Sequence, residues 1–454
     1  MEMNERSKEC HGHADPAGRV PRRRTGHLGR ILGIAVSGAA FLCGGASPRA
    51  EAATVPTTFS AVADANEAGA RVDANPALYY WQAWALFPDL NETEKSAVNG
   101  LGAGLSAGAR DALAEKFERS LTLMRRAARS GAACDWGAEI GDGPAMVAPH
   151  VAKIRTAARV ALFSAEVRRQ GGNSSGSVED IVAAMAVGRA TGADAWLGGV
   201  GVSALVERTA LLFAGERLAV LSPADRRVLI AGLKRLPPGA RVADAAETER
   251  RLVVEWGLSR LDEARRGTPE DRPARMDAAR RALGTTMFSN DAEGDAEWKR
   301  ITAATGGTWE GLRGAFQSLD AYYRDLVAIG RAGVGELDAL QESLERRVRE
   351  GGHALAPGIL TSLVPYTATT RRRELENEAR RALLVAAVDL LEQDGKGTPA
   401  HVDPLSGRPV VVERAEGGRW VLKSPLASGR LDATLTVGLL PASAPASGSA
   451  SGTR

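Results

Sequence analysis

Five of the chain's 21 aromatic residues fall within nine positions, Tyr79-Tyr80-Trp81-Gln82-Ala83-Trp84-Ala85-Leu86-Phe87. Asn75 before them is a good N-cap, and Pro76 takes the first helical position, where a missing N–H costs no bond. Pro88 stops the helix after Phe87. At helical spacing Tyr80, Trp84 and Phe87 line one face, while Leu78, Trp81 and Ala85 line the adjacent one. One neighbour cannot cover an apolar arc that wide. The chain must gather several helices around this segment.

The remaining sequence supplies them. Ala, Arg and Leu dominate and β-branched and aromatic residues are sparse, so helix formers outnumber strand formers almost throughout. Residues 54–74 are Ala-rich and could lead helically into the aromatic segment. Asn91 opens a capping-box pattern with Glu94. A helix over 105–129 buries Leu113, Phe117, Leu121, Met124 and Ala128. Residues 131–145 break the pattern. A helix over 146–169 faces Val147, Val151, Ile154, Ala158, Leu162 and Ala165 inward, with Arg155, Arg159 and Glu166 opposite. Ser177 caps a helix that ends near Gly192. Further helices span 193–221, 244–266 and, after a start at Ser222-Pro223, the stretch up to Pro237. Residues 284–307 read as an exposed loop or domain boundary.

The best periodicity follows, with Trp309, Leu312, Phe316, Leu319, Tyr323 and Leu326 three and four apart and Leu337, Leu340, Leu344 and Val348 on the return. That spacing predicts an antiparallel hairpin in which the second helix covers the first. After an irregular stretch over 351–365, a buried helix runs from 370 to 393. Residues 409–413 and 419–423 form two strands across a Glu-Gly-Gly turn, with 431–439 a third. The fold class is therefore mostly α: an irregular multi-helix array, solenoid-like or bundled, with a small C-terminal antiparallel β module. The domain reading is a leader over 1–53, helices over 54–283, a boundary over 284–307, the hairpin and long helix over 308–393, a β module over 394–440 and a disordered tail over 441–454. No fixed repeat period emerges.

The formal charge of +3 belongs to the first 53 residues, which hold eight basic and five acidic groups; the rest of the chain is balanced. A neutral mature chain has no electrostatic basis for binding nucleic acid or anionic membrane. Arg22-Arg23-Arg24 and Arg30, the apolar run Ile31–Cys43 and Ala50-Glu51-Ala52 make a secretory signal pattern. The run is too short for a stable span, so the product is expected in the periplasm or cell envelope, anchored only if the leader is retained. Cys134 is then the one mature cysteine, and no intramolecular disulfide can form.

Three segments carry a resemblance: Asn75-Pro-Ala-Leu-Tyr-Tyr-Trp-Gln-Ala-Trp-Ala-Leu86, Cys134-Asp-Trp-Gly137, and Arg380 to Pro409 with the strands after it. Together they resemble an uncharacterised family of exported helical proteins of the planctomycete type. The resemblance implies an exported, mostly helical protein and no assigned activity. Asp403-Pro-Leu-Ser-Gly-Arg-Pro409 and Arg419-Trp-Val-Leu422 are also similar to the C-terminal part of pseudopilins, in which a long helix leads through such a loop into a small sheet. Pseudopilins often bind calcium through carboxylates after the second strand. Here Ser424 to Arg430 stands in that place and Asp432 is the first acid, so no calcium site is carried over. The hydrophobic pilin helix does not adjoin this module, and filament assembly is not expected.

The chemistry-bearing constellation is Cys134, Asp135, Trp136, Glu139 and Asp142, with His150 nearby. It holds a thiol, three carboxylates and an imidazole, and Trp136 and Trp84 are candidate stacking surfaces for a sugar. If Asp135, Glu139 and His150 meet Trp136 in one deep pocket, the chain reads as a secreted helical hydrolase or lyase acting on polysaccharide. If the loop is pinned onto the helices, the reading is a non-catalytic scaffold or interaction module with an envelope protein as partner. The second is the leading expectation, because an isolated cysteine is usually inert core. Gly199-Val-Gly201-Val-Ser-Ala204 matches a dinucleotide fingerprint without the strand that should precede it, so these glycines are read as close-packing positions. His401 and Asp403 are too few to hold a metal. No cofactor is expected.

Overall fold

The computed structural model describes residues 75–146, 148–266, 271–287, 291–393, 401–427 and 431–438. The leader over 1–53, the helix considered over 54–74 and the tail over 441–454 lie outside the described residues. The protein is mostly α, with a small three-stranded antiparallel sheet near its C-terminus.

Helix α1 (Pro76–Ala85) begins where the Asn75 side chain accepts the Ala77 N–H. It buries Tyr80 and Trp84, but of the second face expected to be covered Leu78 and Ala85 are exposed and Trp81 is half-buried, so the core grips a narrower arc than the sequence suggests. Helix α2 (Glu92–Asn99) opens with the reciprocal Asn91–Glu94 capping box. The single helix expected over 105–129 is two, α3 (Ala107–Glu115) and α4 (Glu118–Ser130). The break falls at Phe117, whose ring is buried and meets Phe87 edge-on at 5.8 Å. That bend lets α4 pack on α1 while α3 turns to a different partner, α5 (Pro149–Gln170).

Helices α5, α6 (Ser174–Thr191) and α7 (Leu197–Arg217) form the centre of the molecule. Helix α6 starts earlier than expected, because Asn173 rather than Ser177 caps it, accepting the Gly176 N–H at 2.9 Å. Glu166, assigned from the sequence to the outer face of α5, is buried instead. Burial pushes its carboxyl up, but hydrogen bonds from Arg169, Arg217 and Gln170 outweigh this and hold it down at about 2. Asp180 on α6 is likewise buried and engages Arg125 at 2.6 Å and the Ser164 hydroxyl at 2.8 Å. Leu197–Val220 is the one segment among the described residues long and apolar enough to cross a membrane, and most of it is buried in this core.

Helix α8 (Pro223–Arg235) is followed by a rod made of α9 (Val242–Arg250), a π-helical turn (Arg251–Glu255) and α10 (Trp256–Arg266), then by α11 (Arg272–Met287). The loop expected over 284–307 contains helix α12 (Ala292–Ala304). Asp291 caps it, and Trp298 and Ile301 bury its inner face, which outweighs the weak propensity of Gly294.

Helices α13 (Trp309–Arg331) and α14 (Leu337–Glu350) form the expected hairpin. The seam on α13, however, packs most extensively against α9, with α14 a lesser neighbour. The irregular stretch expected over 351–365 is mostly helical. Helix α15 (Ala356–Glu392) begins there and runs through Pro365, because Ile359, Leu360, Leu363 and Val364 are all buried around the proline. That burial offsets the lost backbone hydrogen bond.

Strands β1 (Val411–Arg414), β2 (Trp420–Lys423) and β3 (Thr434–Val437) make a meander with register Val412↔Leu422 and Leu422↔Leu435. Its inner face lies on α7 and α15. Wholly buried Arg380 ties it down, reaching the Thr434 carbonyl at 3.3 Å and the Asp432 carboxylate at 3.0 Å. One apolar core joins α1 to α8, the last turns of α15 and the sheet. A second joins the start of α7, α9 to α14 and the first half of α15. Helix α15 threads both.

Candidate functional site

The Cys134–Asp142 segment crosses between the two cores. Its first residues are clamped to the start of α1, where Asn75 donates to the Asp135 carbonyl at 2.5 Å and accepts the Asp135 N–H at 3.0 Å. The Asp135 carboxylate folds back to accept the Gly137 N–H at 2.9 Å. Cys134 is buried, and its sulfur accepts the Ala77 N–H. Burial, reinforced by the negative charges of Asp194 and Asp135, pushes its thiol up to about 12. A thiol that stays protonated is a poor nucleophile.

Trp136 is built into an aromatic cluster. Its ring stacks on His150 at 4.4 Å and 2°, on Trp84 at 5.3 Å and 7°, and on Tyr80 at 5.8 Å, and it meets Trp81 edge-on. Its indole N–H donates to the Ala190 carbonyl at 2.7 Å, at the end of α6. Neighbouring rings in offset or edge-on contact add about 0.5–1.5 kcal/mol per pair beyond burial. The far end of the segment is a 3₁₀ turn, Ile140–Ala145, in which Gly143 has φ of 62° and lies flat against the Trp256 indole, where a side chain would collide.

His150 is buried on α5, and burial depresses its imidazole to about 4, so it is neutral at physiological pH. Its Nε2 stands 3.8 Å from Asp194 Oδ2, and neither atom has a hydrogen-bond partner among the described residues. Burial raises Asp194 to about 6 even though its carboxylate accepts the backbone N–H of Trp136. The backbone beside it is unusual, since Ala195 has φ of 46°, a left-handed conformation that non-glycine residues rarely adopt.

The structure thus brings Cys134, Trp136, Trp84 and His150 together, with Asp135 at the edge of the group. Glu139 and Asp142 are exposed and stand apart. A cavity of about 280 Å³ opens beside Cys134, walled by Tyr80, Ala127, Ala186, Ala190 and Pro237; Asp135, Glu139 and His150 do not line it. His401 engages Asp389, whereas Asp403 organises its own turn by accepting the Ser406 N–H at 2.8 Å. No group of three metal-ligating side chains occurs among the described residues. Asp432 is engaged by Arg208 and Arg380.

Among the acids that sequence reasoning missed are Asp194, half-buried beside His150, and the buried Glu249. Asp194 lies in a five-residue break that carries no motif. Glu249 on α9 is fully buried and accepts the Leu197 N–H, and burial raises it to about 7. It faces Tyr323 of α13 and Tyr366 of α15. Its place in an unremarkable run, Ala246-Glu-Thr-Glu249, offers no signal of this.

The fold and this segment define a mostly helical protein with a C-terminal β meander and a loop locked into an aromatic cluster. No family model matches the chain, and no curated protein or solved structure is similar to it.

Proposed function

We propose that the protein is an exported, non-catalytic helical scaffold or interaction module of the cell envelope. The observation that carries this reading is Trp136. Its faces and its N–H are committed to the core, so the ring that could have stacked on a sugar holds helices α1, α5 and α6 to one another. The protonated Cys134 thiol and the neutral, buried His150 support the same reading. Export rests on the leader pattern over residues 1–53. The resemblance of the Asp403–Pro409 segment to pseudopilin C-termini, and of the chain to the planctomycete-type exported family, belongs to the same proposal and rests on the sequence segments that carry it.

The test is expression of the full chain with a C-terminal tag, cell fractionation, and crosslinking before purification. Recovery from the periplasmic or envelope fraction in a stoichiometric complex is expected. Confinement to the cytoplasm would contradict export. Turnover of a polysaccharide panel by the purified protein, lost in Asp135→Asn or His150→Gln, would replace the scaffold by the hydrolase or lyase reading.

A further inference from the structure

A groove of about 360 Å³ opens between α5, α7 and the turn that follows α2. Its apolar lining is Leu101, Leu162, Leu205, Leu212 and Phe213. Two guanidiniums stand in it, Arg159 and Arg208, against one carboxylate, Glu216, which is already paired with Arg217 at 2.6 Å. Arg159 donates to the Asn99 carbonyl at 3.2 Å, a neutral acceptor. Arg208 shares the Asp432 carboxylate with Arg380, at 2.8 and 3.0 Å, and its Nε is buried with no hydrogen-bond partner among the described residues. The groove therefore combines an apolar lining with two guanidiniums and one carboxylate.

The lip is strained. Leu101 has φ of 55°, a conformation that a branched aliphatic residue adopts only when its surroundings enforce it. That backbone belongs to the C-terminal cap of α2, in which the Gly102 N–H donates to the Ala97 carbonyl at 2.7 Å and the Leu101 N–H to the Val98 carbonyl at 3.2 Å. The cavity volume falls at the lower end of the range for small-molecule sites, which combine apolar walls with a few polar groups.

We propose that this groove binds a single-chain fatty acid, with the carboxylate held by Arg159 and Arg208 and the acyl chain along Leu162, Leu205, Leu212 and Phe213. An anionic head gives Arg159, whose hydrogen bond is to a neutral carbonyl, an acidic partner, and an acyl chain covers the apolar lining. Acyl binding is compatible with a scaffold and does not depend on it.

Calorimetric titration of the full chain with dodecanoate, below its micelle concentration, tests the assignment. Saturable binding at one site per chain is expected, and dodecanol should bind about tenfold or more weakly, because a charge-assisted contact is lost. Arg159→Gln should weaken dodecanoate by a similar factor and leave dodecanol unchanged; its one partner outside the groove is a backbone carbonyl, so an unaltered melting curve is expected. Leu205→Trp, which fills the groove, should abolish both. Equal affinity for acid and alcohol, or no effect of Arg159→Gln, would overturn the proposal. So would stronger competition by an apolar peptide ending in a free carboxylate, which would make the groove a peptide site.

Discussion

Glu249→Gln isolates the energetic consequence of a buried acid whose carboxyl is pushed up to about 7. The carboxyl of Glu249 is enclosed by α7, α9, α13 and α15 and accepts the Leu197 N–H, with Tyr323 and Tyr366 facing it and Arg155 and Arg373 beyond Tyr366. Burial raises it from its ordinary 4.5 to about 7. Below the unfolded value both states hold the proton, and the buried group is neutral. Between the two values the unfolded chain ionises while the folded chain keeps its proton, so stability falls as pH rises through this window. Above the folded value both are ionised and the full cost is present. At about 1.4 kcal/mol for each pH unit, that cost is about 3 kcal/mol. Glutamine keeps the oxygen that accepts the Leu197 N–H and never ionises. Urea unfolding at about pH 5 and about pH 8 should therefore give similar stabilities for wild type and variant at the lower pH, and a variant more stable by about 2–3 kcal/mol at the higher one. Taking the difference between the two proteins cancels the other titrating groups, including Asp194 and His150. Parallel pH profiles would refute the reasoning, and so would a wild type that gains on the variant as pH rises.

Other perturbations test the remaining structure. Trp136→Ala removes the ring stacked on His150, Trp84 and Tyr80 and the bond to Ala190, and should cost about 3–5 kcal/mol in chemical denaturation; a loss under about 1 kcal/mol would show that the cluster does not hold the loop. Trp84→Ala should cost a similar amount, and the double variant should lose less than the sum, because the two rings share a contact. Cys134, buried with its thiol pushed up to about 12, should resist iodoacetamide in the native protein and react readily in urea; equal rates would contradict its burial. Gly201→Ala places a methyl against the Tyr366 hydroxyl and should destabilise by about 1–3 kcal/mol, with Tyr366→Phe restoring part of the loss. No restoration would mean that the clash lies elsewhere.

Much of the fold is legible in the residues because caps and periodicity are local. Asn75-Pro76, Asn91–Glu94, Ser222-Pro223 and the Trp309–Leu326 seam each determine a helix through contacts within a few residues of themselves. Strand alternation around Glu416-Gly417-Gly418 determines the hairpin in the same way. The misreadings occur where distant burial outweighs local propensity. Helix α12 survives its glycine because Trp298 and Ile301 find a core, and α15 continues through Pro365 because four apolar neighbours are enclosed around it.

The candidate segment divides along the same line. That Cys134, Trp136 and His150 lie near one another follows from a short break between two helices, which the residues between 131 and 145 already specify. Tertiary structure alone decided what they do there. It brought Trp84 from α1 and Ala190 and Asp194 from the junction of α6 and α7, stacked the indole, and withdrew water from the thiol and imidazole. A side chain's reactivity depends on its solvation and on the charges beside it, and both come from residues far away in sequence. The sequence by itself determined a helical protein with an aromatic post. Only the packing decided that its most reactive-looking loop is part of that post.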